Sequence, residues 1–381
     1  MVAGSQEQGT HVTRLLYLAN AASVHTRKWV NYFAEAGHEV HLVTWHKPGT
    51  PSGIAHPVRM HRVVCPPHFV MRYGTLLEVR RIVRTVRPDL VHAHYLSHFG
   101  LVGGLLARTS GFHPLVLTAW GSDVMSQSEG SRGRLVSSAL RQADCVTCDS
   151  PHMVPRLVSL GASSDAVHII NFGVDTERFR PQTPQRDIKG ELDLRDAAVV
   201  ISLRSLRPVY DVATLIRAAP AVLRAVPQAV FLVAGRGEEE ANLRSLATSL
   251  GVAGHVRFLG MVANEALPDY LNSADVYVST SLSDAGIAAS TAEAMACGLP
   301  AVVTDFGDNG SWVKDGETGY LFPCGDSDRL AERLIQLLGD SSLRERLGAN
   351  GRREIVQRNS YQGEMKKMES IYFDLIERCR R

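Results

Sequence analysis

The segment Ser281 to Asp305, SLSDAGIAASTAEAMACGLPAVVTD, carries the residue types that an anion site needs. It reads as a strand end, an open loop, a helix beginning at Ser290, a Gly-Leu-Pro stop and a second strand. The first amides of a helix have no partner within it, and the helix dipole is positive there, so such an end receives phosphate. Ala285, Gly286, Ala288 and Ala289 are small enough for a phosphate to approach the backbone closely. Glu293 lies one turn in, where a carboxylate accepts hydrogen bonds from a vicinal diol such as a ribose. The same residues have a second reading. Ser290-Thr-Ala-Glu293 has the form of a capping box, which satisfies a helix end without any ligand, and Asp284 fits a solvated loop carboxylate. Local spacing leaves both readings open.

Other groups carry weaker signals. Val233-Ala-Gly-Arg-Gly237 is a strand followed by Gly-x-Gly, which alone says little about a nucleotide. The three glutamates Glu238 to Glu240 suit a helix start but repel a diphosphate, so that turn is not expected to hold phosphate. His92 and His94 end the stretch Leu90–His94, and period two puts them on one face. Either can bond a hydroxyl, and either can be a satisfied core histidine. The only Asp-x-Asp, Asp326-Ser-Asp328, stands at a helix start and reads as an N-cap rather than a metal clamp. No His-Glu-x-x-His or Cys/His cluster is present. Cys145 and Cys148 have Cys-x-x-Cys spacing but lie in a strand-like stretch with no second pair, so two reduced core cysteines are expected. Metal and cofactor are both expected to be absent.

The elements that must position these groups follow from periodicity. Short apolar strands read at Arg14–Ala19, Glu39–Thr44, Leu90–His94, Leu115–Thr118, Cys145–Cys148 and Val167–Ile170, with helical stretches at Thr26–Ala36, Leu76–Val86 and Arg134–Gln142. The second half repeats the pattern at Ala198–Leu203, Ala229–Ala234, Val256–Leu259, Val276–Thr280 and Ala301–Thr304. Its helices read at Val212–Val226, Glu239–Leu250, Ala266–Ser273 and Ser290–Cys297, and three more close the chain. Near-continuous apolar strands alternating with helices mean parallel sheets covered on both faces. Arg180-Pro-Gln-Thr-Pro-Gln-Arg-Asp187 has two prolines, no apolar residue and the composition of a linker. Two tandem doubly wound α/β (Rossmann-like) domains facing across a cleft are therefore expected. They comprise an N-terminal domain over 1–185, a second domain over 186–358, and a C-terminal helix over 359–381 packing back on the first.

Charge supports two chemistries. Residues 1–185 hold 18 Lys+Arg against 12 Asp+Glu, and residues 186–381 hold 23 against 27. Fourteen of the 15 histidines lie in the first part. A total of +2 argues against a nucleic-acid binder. The longest apolar run, Phe99 to Ala107, is broken by three glycines and is too short to span a membrane. With a polar start over Met1–Thr10, a cytosolic chain is expected. Arg72, Arg80, Arg81, Arg84 and Arg87, set around Leu76, Leu77, Ile82 and Val83, form a basic amphipathic stretch. It reads as a solvated helix face or as a peripheral contact with an anionic membrane.

Glu293-Ala-Met-Ala-Cys-Gly-Leu-Pro300 closely resembles the second half of the paired-acid signature of the retaining glycosyltransferases of the GT-B fold, family 4. The resemblance implies that Glu293 holds the donor ribose and that the amides of Ala289 and Ser290, beside Gly286, hold the phosphates. The first acid of the pair departs from pattern: eight residues before Glu293 stands Ala285, and the nearest acid is Asp284. Ser202-Leu-Arg-Ser-Leu-Arg-Pro-Val-Tyr-Asp211 resembles the loop whose Arg and Lys grip the donor diphosphate. Arg204 takes the Arg place, Tyr210 stands where Lys is usual, and Arg207 is the substitute cation. Gly235 falls in the family's Gly-x-Gly turn, and Val256–Gly260 with Met261 and Val262 resembles the loop beside the donor base. Asn171-Phe-Gly-Val-Asp175 resembles the passage into the linker. On the acceptor side the resemblance points to Ser23 in Asn20–Val24, to His92 and His94, and to Thr118-Ala-Trp-Gly-Ser-Asp123. There Trp120 replaces a histidine and Asp123 becomes the acceptor contact.

Taken with the family, these residues imply metal-independent, retaining transfer of a sugar from a nucleoside-diphosphate donor, uridine before guanosine. The acceptor is a glycan, lipid-linked or small-molecule hydroxyl. Arg204, Asp284, His94 and Asp123 would carry the chemistry. An epimerase of the same fold and a non-catalytic nucleotide-sugar binder remain as alternatives, the second favoured by the Lys-to-Tyr and His-to-Trp departures.

Overall fold

The structure is a computed structural model that describes residues 12–45, 53–55, 57–63, 72–120, 124, 131–282 and 286–381. The chain divides into two compact units: Met1–Asn171 with Met365–Arg381, and Phe172–Glu364. Residues 172–185, which precede and enter the proline-bearing segment, pack with the second unit, and Val174 and Phe179 lie in its core.

The first unit is built on a seven-stranded parallel sheet of order β3-β2-β1-β4-β5-β6-β7. Its strands are β1 (Arg14–Leu18), β2 (Glu39–Thr44), β3 (Arg59–Arg62), β4 (Leu90–His94), β5 (Leu115–Thr118), β6 (Cys145–Cys148) and β7 (Val167–Ile169). Helices α1 (Val24–Glu35), α2 (Arg72–Val86), α3 (Gly100–Ser110) and α4 (Ser131–Leu140) accompany it. The central strands are buried on both faces, as β4 and β5 are along their whole length, which is why their sequences read as unbroken apolar runs.

Strand β3 and helix α3 are among the elements that the sequence reading did not place. Strand β3, Arg-Met-His-Arg, is a polar edge strand paired with β2. Helix α3 takes up the glycine-broken apolar run. Gly104 is needed because α4 passes against it: a Cβ there would sit 2.6 Å from Cα and Cβ of Ala139.

The second unit has a six-stranded parallel sheet of order β10-β9-β8-β11-β12-β13. Its strands are β8 (Ala198–Ser202), β9 (Ala229–Ala234), β10 (Val256–Gly260), β11 (Val276–Ser279), β12 (Ala301–Thr304) and β13 (Gly319–Phe322), the last unforeseen. Its longer helices are α5 (Val212–Ala225), α6 (Glu240–Ser249), α7 (Ala289–Ala296), α8 (Ser327–Gly339) and α9 (Ser341–Arg358). Helix α5 buries Val212, Leu215, Ile216, Ala219 and Val222, an i, i+3, i+4, i+7, i+10 stripe. Each large side chain so placed contributes about 1.5–3 kcal/mol.

Helix α10 (Tyr361–Arg380) closes the chain. Within the first unit its Tyr372 hydroxyl lies 2.9 Å from that of Tyr17, and its Glu369 lies 2.9 Å from Nε2 of His38.

In both sheets the strand order reverses between the first strand and the fourth: β1 and β4 in one, β8 and β11 in the other. Ligands of doubly wound sheets bind beyond the carboxyl ends of the strands at such a switch point. The residues following β8 and β11, and those following β1 and β4, are therefore where function is to be sought.

Candidate functional site

In the second unit, Arg204 leaves the end of β8 and is 9% exposed. Its Nη2 donates to Oγ of Ser281, at the end of β11, at 3.3 Å. Its guanidinium carbon lies 4.4 Å from the ring centroid of Tyr210. The Gly-x-Gly turn holds this loop from below. A Cβ on Gly235 would meet the Arg204 carbonyl oxygen at 2.2 Å, and one on Gly237 would meet that of Leu206 at 2.0 Å. Leu206 donates its amide to Arg236 and accepts from Glu239, both at 3.0 Å. The two glycines are thus accounted for by a close pass of two backbones. Arg207 is exposed, with Nε 4.0 Å from Oε2 of Glu238. Val262 is partly buried and follows Met261, which is 69% exposed at the end of β10.

Helix α7 begins on Ala288 as its N-cap, a residue with no side chain able to cap it, and Ser290 is not the cap. The capping-box reading therefore fails. Ser290 lies inside the helix, its hydroxyl 2.8 Å from that of Tyr277 on β11. The first intrahelical bond runs from the Ala292 amide to Ala288, so the preceding amides of Ala289, Ser290 and Thr291 are the ones that a helix start leaves over. Ala289 is exposed, and Gly286 and Glu293 are partly buried. The end of the helix, its small residues and Glu293 are thus arranged on the side where β8 and β11 part. Asp284 lies outside the described residues.

In the first unit the two histidines of β4 separate in role. His92 is fully buried, with Nδ1 bonded to the Tyr372 hydroxyl and Nε2 2.6 Å from Oγ1 of Thr118, which in turn meets Thr147 at 2.6 Å. Both nitrogens are spent inside the core, so His92 is a structural residue. His94 is equally buried, yet neither ring nitrogen has a hydrogen-bond partner. Edge-on contacts with Trp29 and Trp120, at centroid distances of 5.1 and 5.7 Å, surround it. Burial, and then His25, push its pKa down to about 3, so it is neutral at ordinary pH.

Trp120 is 5% exposed and carries the imidazole of His25 stacked on it at 5.0 Å. Burial, then Lys28, lower the His25 pKa to about 4. The sequence reading missed His25; its signal was a histidine in the first turn of the helix after β1. Ser23 is the N-cap of α1 without a side-chain cap bond. Tyr95, next after His94, holds φ of 68° and opens a π-helical turn over Tyr95–Phe99, a backbone feature frequent at functional sites. Asp123 lies outside the described residues.

Asp326 caps α8 by accepting the Arg329 amide at 2.8 Å. Among the described residues no group of three or more His, Cys, Asp or Glu could hold a metal. Cys145 and Cys148 are buried free thiols whose pKa values burial pushes up to about 12 and about 11. On α2, Arg80 donates to the Thr109 carbonyl at 2.6 Å and so serves the end of α3. Leu77 is 63% exposed beside exposed Arg81 and Arg84. No helix of the described residues is long and apolar enough to cross a membrane.

Two doubly wound units of this topology define the GT-B class. Among solved structures, that of Anabaena Alr3699/HepE in complex with UDP superposes with a TM-score of 0.82 at 18% identity, covering 95% of this chain and 100% of that one. Residues 185–354 match the glycosyl transferases group 1 family and residues 14–150 the glycosyl transferase 4-like family. The GDP-mannose-dependent monoacylated alpha-(1-6)-phosphatidylinositol monomannoside mannosyltransferase of Corynebacterium glutamicum is 31% identical over 284 residues, covering 72% of this chain and 73% of its own. N-acetyl-alpha-D-glucosaminyl L-malate synthase of Bacillus anthracis is 25% identical over 352 residues, with 90% and 91% covered. The chain belongs to the group 1, family 4 glycosyltransferases.

Proposed function

We propose that the chain transfers a sugar, with retention and without a metal or other cofactor, from a nucleoside-diphosphate sugar to a hydroxyl acceptor. The observation that carries the reading is the start of α7. Its N-cap is Ala288, which has no side chain able to cap, the Ser290 hydroxyl is turned to Tyr277, and Glu293 stands one turn in. An anionic ligand is what such an end lacks. On this reading Ala289 and Ser290 donate amides to the phosphates, Glu293 accepts from the ribose diol, and Arg204 faces the diphosphate. Val262 lies beside the base, Gly235 supports the Arg204 loop, and Arg207 is an outer cation drawn toward Glu238. Uridine is the first candidate base. Guanosine is the second, on the name of the Corynebacterium relative.

The acceptor oxygen bonds to the anomeric carbon as the bond from that carbon to the phosphate breaks. The departing phosphate takes the acceptor proton on the same face, so no protein base is required. Catalysis is then positioning plus stabilisation of charge growing on the diphosphate by Arg204 and the α7 dipole. Asp284 and Asp123 keep the donor-side and acceptor-side roles that the family implies. Ser23, His94 and Trp120 line the acceptor side, and His25 joins them. Glycan, lipid-linked and small-molecule acceptors all suit this set. The exposed Leu77, Arg81 and Arg84 on α2 are suited to peripheral contact with an anionic membrane.

Thermal shift and calorimetry with UDP, GDP and UMP, all in EDTA, test the reading. A bound diphosphate raises the melting temperature by mass action. Glu293→Gln should melt close to wild type, because Ala288 and not Ser290 is the N-cap, so no Ser290–Glu293 capping box is lost. It should bind the nucleotide about ten- to a hundredfold more weakly, as expected for loss of a charge-assisted hydrogen bond of about 1.5–3 kcal/mol. Unaltered affinity in this variant, or binding that appears only when magnesium or manganese replaces EDTA, would remove the proposed site or its metal independence respectively.

A further inference from the structure

Tyr210 stands where the family pattern has a lysine, and the structure gives that exchange a physical content. The backbone of Tyr210 is held at several points. Its carbonyl accepts the Thr280 hydroxyl at 2.8 Å, its amide donates to Arg207 at 3.0 Å, and the neighbouring Val209 carbonyl accepts the Leu282 amide at 2.9 Å. The turn then closes through Asp211, at φ of 41°, whose carboxylate accepts the Thr214 hydroxyl at 2.6 Å. The ring on this backbone lies 4.4 Å from the Arg204 guanidinium carbon, while Gly235 lies against the backbone of Arg204 and Gly237 against that of Leu206. The loop's other cation, Arg207, is exposed and set toward Glu238.

We propose that Tyr210 is the positioning residue of the donor site: its ring seats Arg204 in the orientation that meets the diphosphate, so the loop binds its donor with one preset cation instead of two mobile ones. This rests on the donor reading above. Stacking uses the face of the guanidinium, whereas phosphate oxygens meet its in-plane N–H groups, so ring and ligand do not compete. A long side chain loses rotamer freedom when it binds, and a ring that already holds it removes that loss. The exchange of lysine for tyrosine therefore gives up a charge and gains a fixed geometry for the charge that remains.

A double-mutant cycle on the full-length chain tests this, with UDP and GDP titrated by calorimetry and folding followed by circular dichroism. Tyr210→Phe keeps the ring and should bind within about twofold of wild type. Tyr210→Ala should bind about five- to thirtyfold more weakly, the range expected for a partly desolvated cation–π contact. In an Arg204→Ala background the same change should add nothing, because the two residues act as one. A Tyr210→Ala chain with wild-type affinity beside a weakened Arg204→Ala chain overturns the positioning role and leaves the donor site standing. So does an equal loss in both backgrounds, or a Tyr210→Phe chain as weak as Tyr210→Ala. An Arg204→Ala chain with unchanged affinity removes the donor reading itself.

Discussion

Mild acid should unfold the first unit well before the second. His94 and His25 have pKa values pushed down to about 3 and about 4, His94 by burial and then His25, His25 by burial and then Lys28. In the unfolded chain an imidazole protonates near pH 6.5. Between these values the unfolded chain binds more protons than the folded one, so stability falls as the pH drops below about 6.5 and continues to fall toward about 3. At pH 5 each residue costs about 2 kcal/mol relative to neutral pH, or about 4 kcal/mol together. His92, lowered well below the usual value by burial and His94, acts in the same direction.

For a unit of this size about 4 kcal/mol corresponds to a fall in melting temperature of roughly 8–16 °C. Differential scanning calorimetry at pH 7 and pH 5 measures it. Tryptophan fluorescence assigns the transitions, because Trp29, Trp45 and Trp120 lie in the first unit and Trp312 in the second. The second unit holds a single histidine, His255. His94→Phe keeps an aromatic ring among Trp29 and Trp120 and should remove about 2 kcal/mol of the loss between pH 7 and pH 5. If both units shift alike between the two pH values, or His94→Phe is as acid-sensitive as wild type, the neutral-histidine argument is wrong.

Tyr372→Phe deletes the hydroxyl that joins Tyr17 to His92 and leaves two buried groups short of a partner, at about 1–3 kcal/mol each. Faster hydrogen exchange across Met365–Arg380 and a lower melting temperature are expected; unchanged exchange there would contradict the role given to that hydroxyl. Gly237→Ala places a Cβ 2.0 Å from the Leu206 carbonyl oxygen and should displace the Arg204 loop, weakening UDP binding more than it lowers stability. Gly254→Ala, where a Cβ meets nothing within 4 Å, is the control; equal UDP affinity in the two variants would show that the Gly-x-Gly turn does not support Arg204.

Most strands could be read from the sequence because a parallel strand covered on both faces must be apolar throughout, as Leu90–His94 and Ala229–Ala234 nearly are. The misses share a cause. β3 is polar because it sits at an edge: its Arg59 pairs with Glu39 at 2.8 Å and its His61 with His41 at 2.8 Å, and neither contact leaves a period in the sequence. Helix α3 was hidden by its glycines, of which Gly104 has its reason, the close pass of Ala139, in another helix. Likewise Ser290-x-x-Glu293 has every local mark of a capping box. It fails because the Ser290 hydroxyl is turned to Tyr277, on a strand that residue spacing cannot bring beside it.

The donor loop extends this point from fold to chemistry. A Gly-x-Gly after a strand is usually weighed as a phosphate signal, and here its glycines are occupied by the backbone of Arg204 to Leu206. Three glutamates follow them, unfavourable beside a diphosphate but harmless where no phosphate comes. The role of that turn is to hold up the loop bearing Arg204, whose guanidinium is then fixed by Tyr210 and Ser281. On the proposed mechanism, which calls for no protein base, the rate must come from where charge is placed, and a guanidinium held by Tyr210 and Ser281 costs less to organise as charge grows on the diphosphate. The substitution that makes this loop look weakened, tyrosine for lysine, is thus the one that fixes its remaining charge in place.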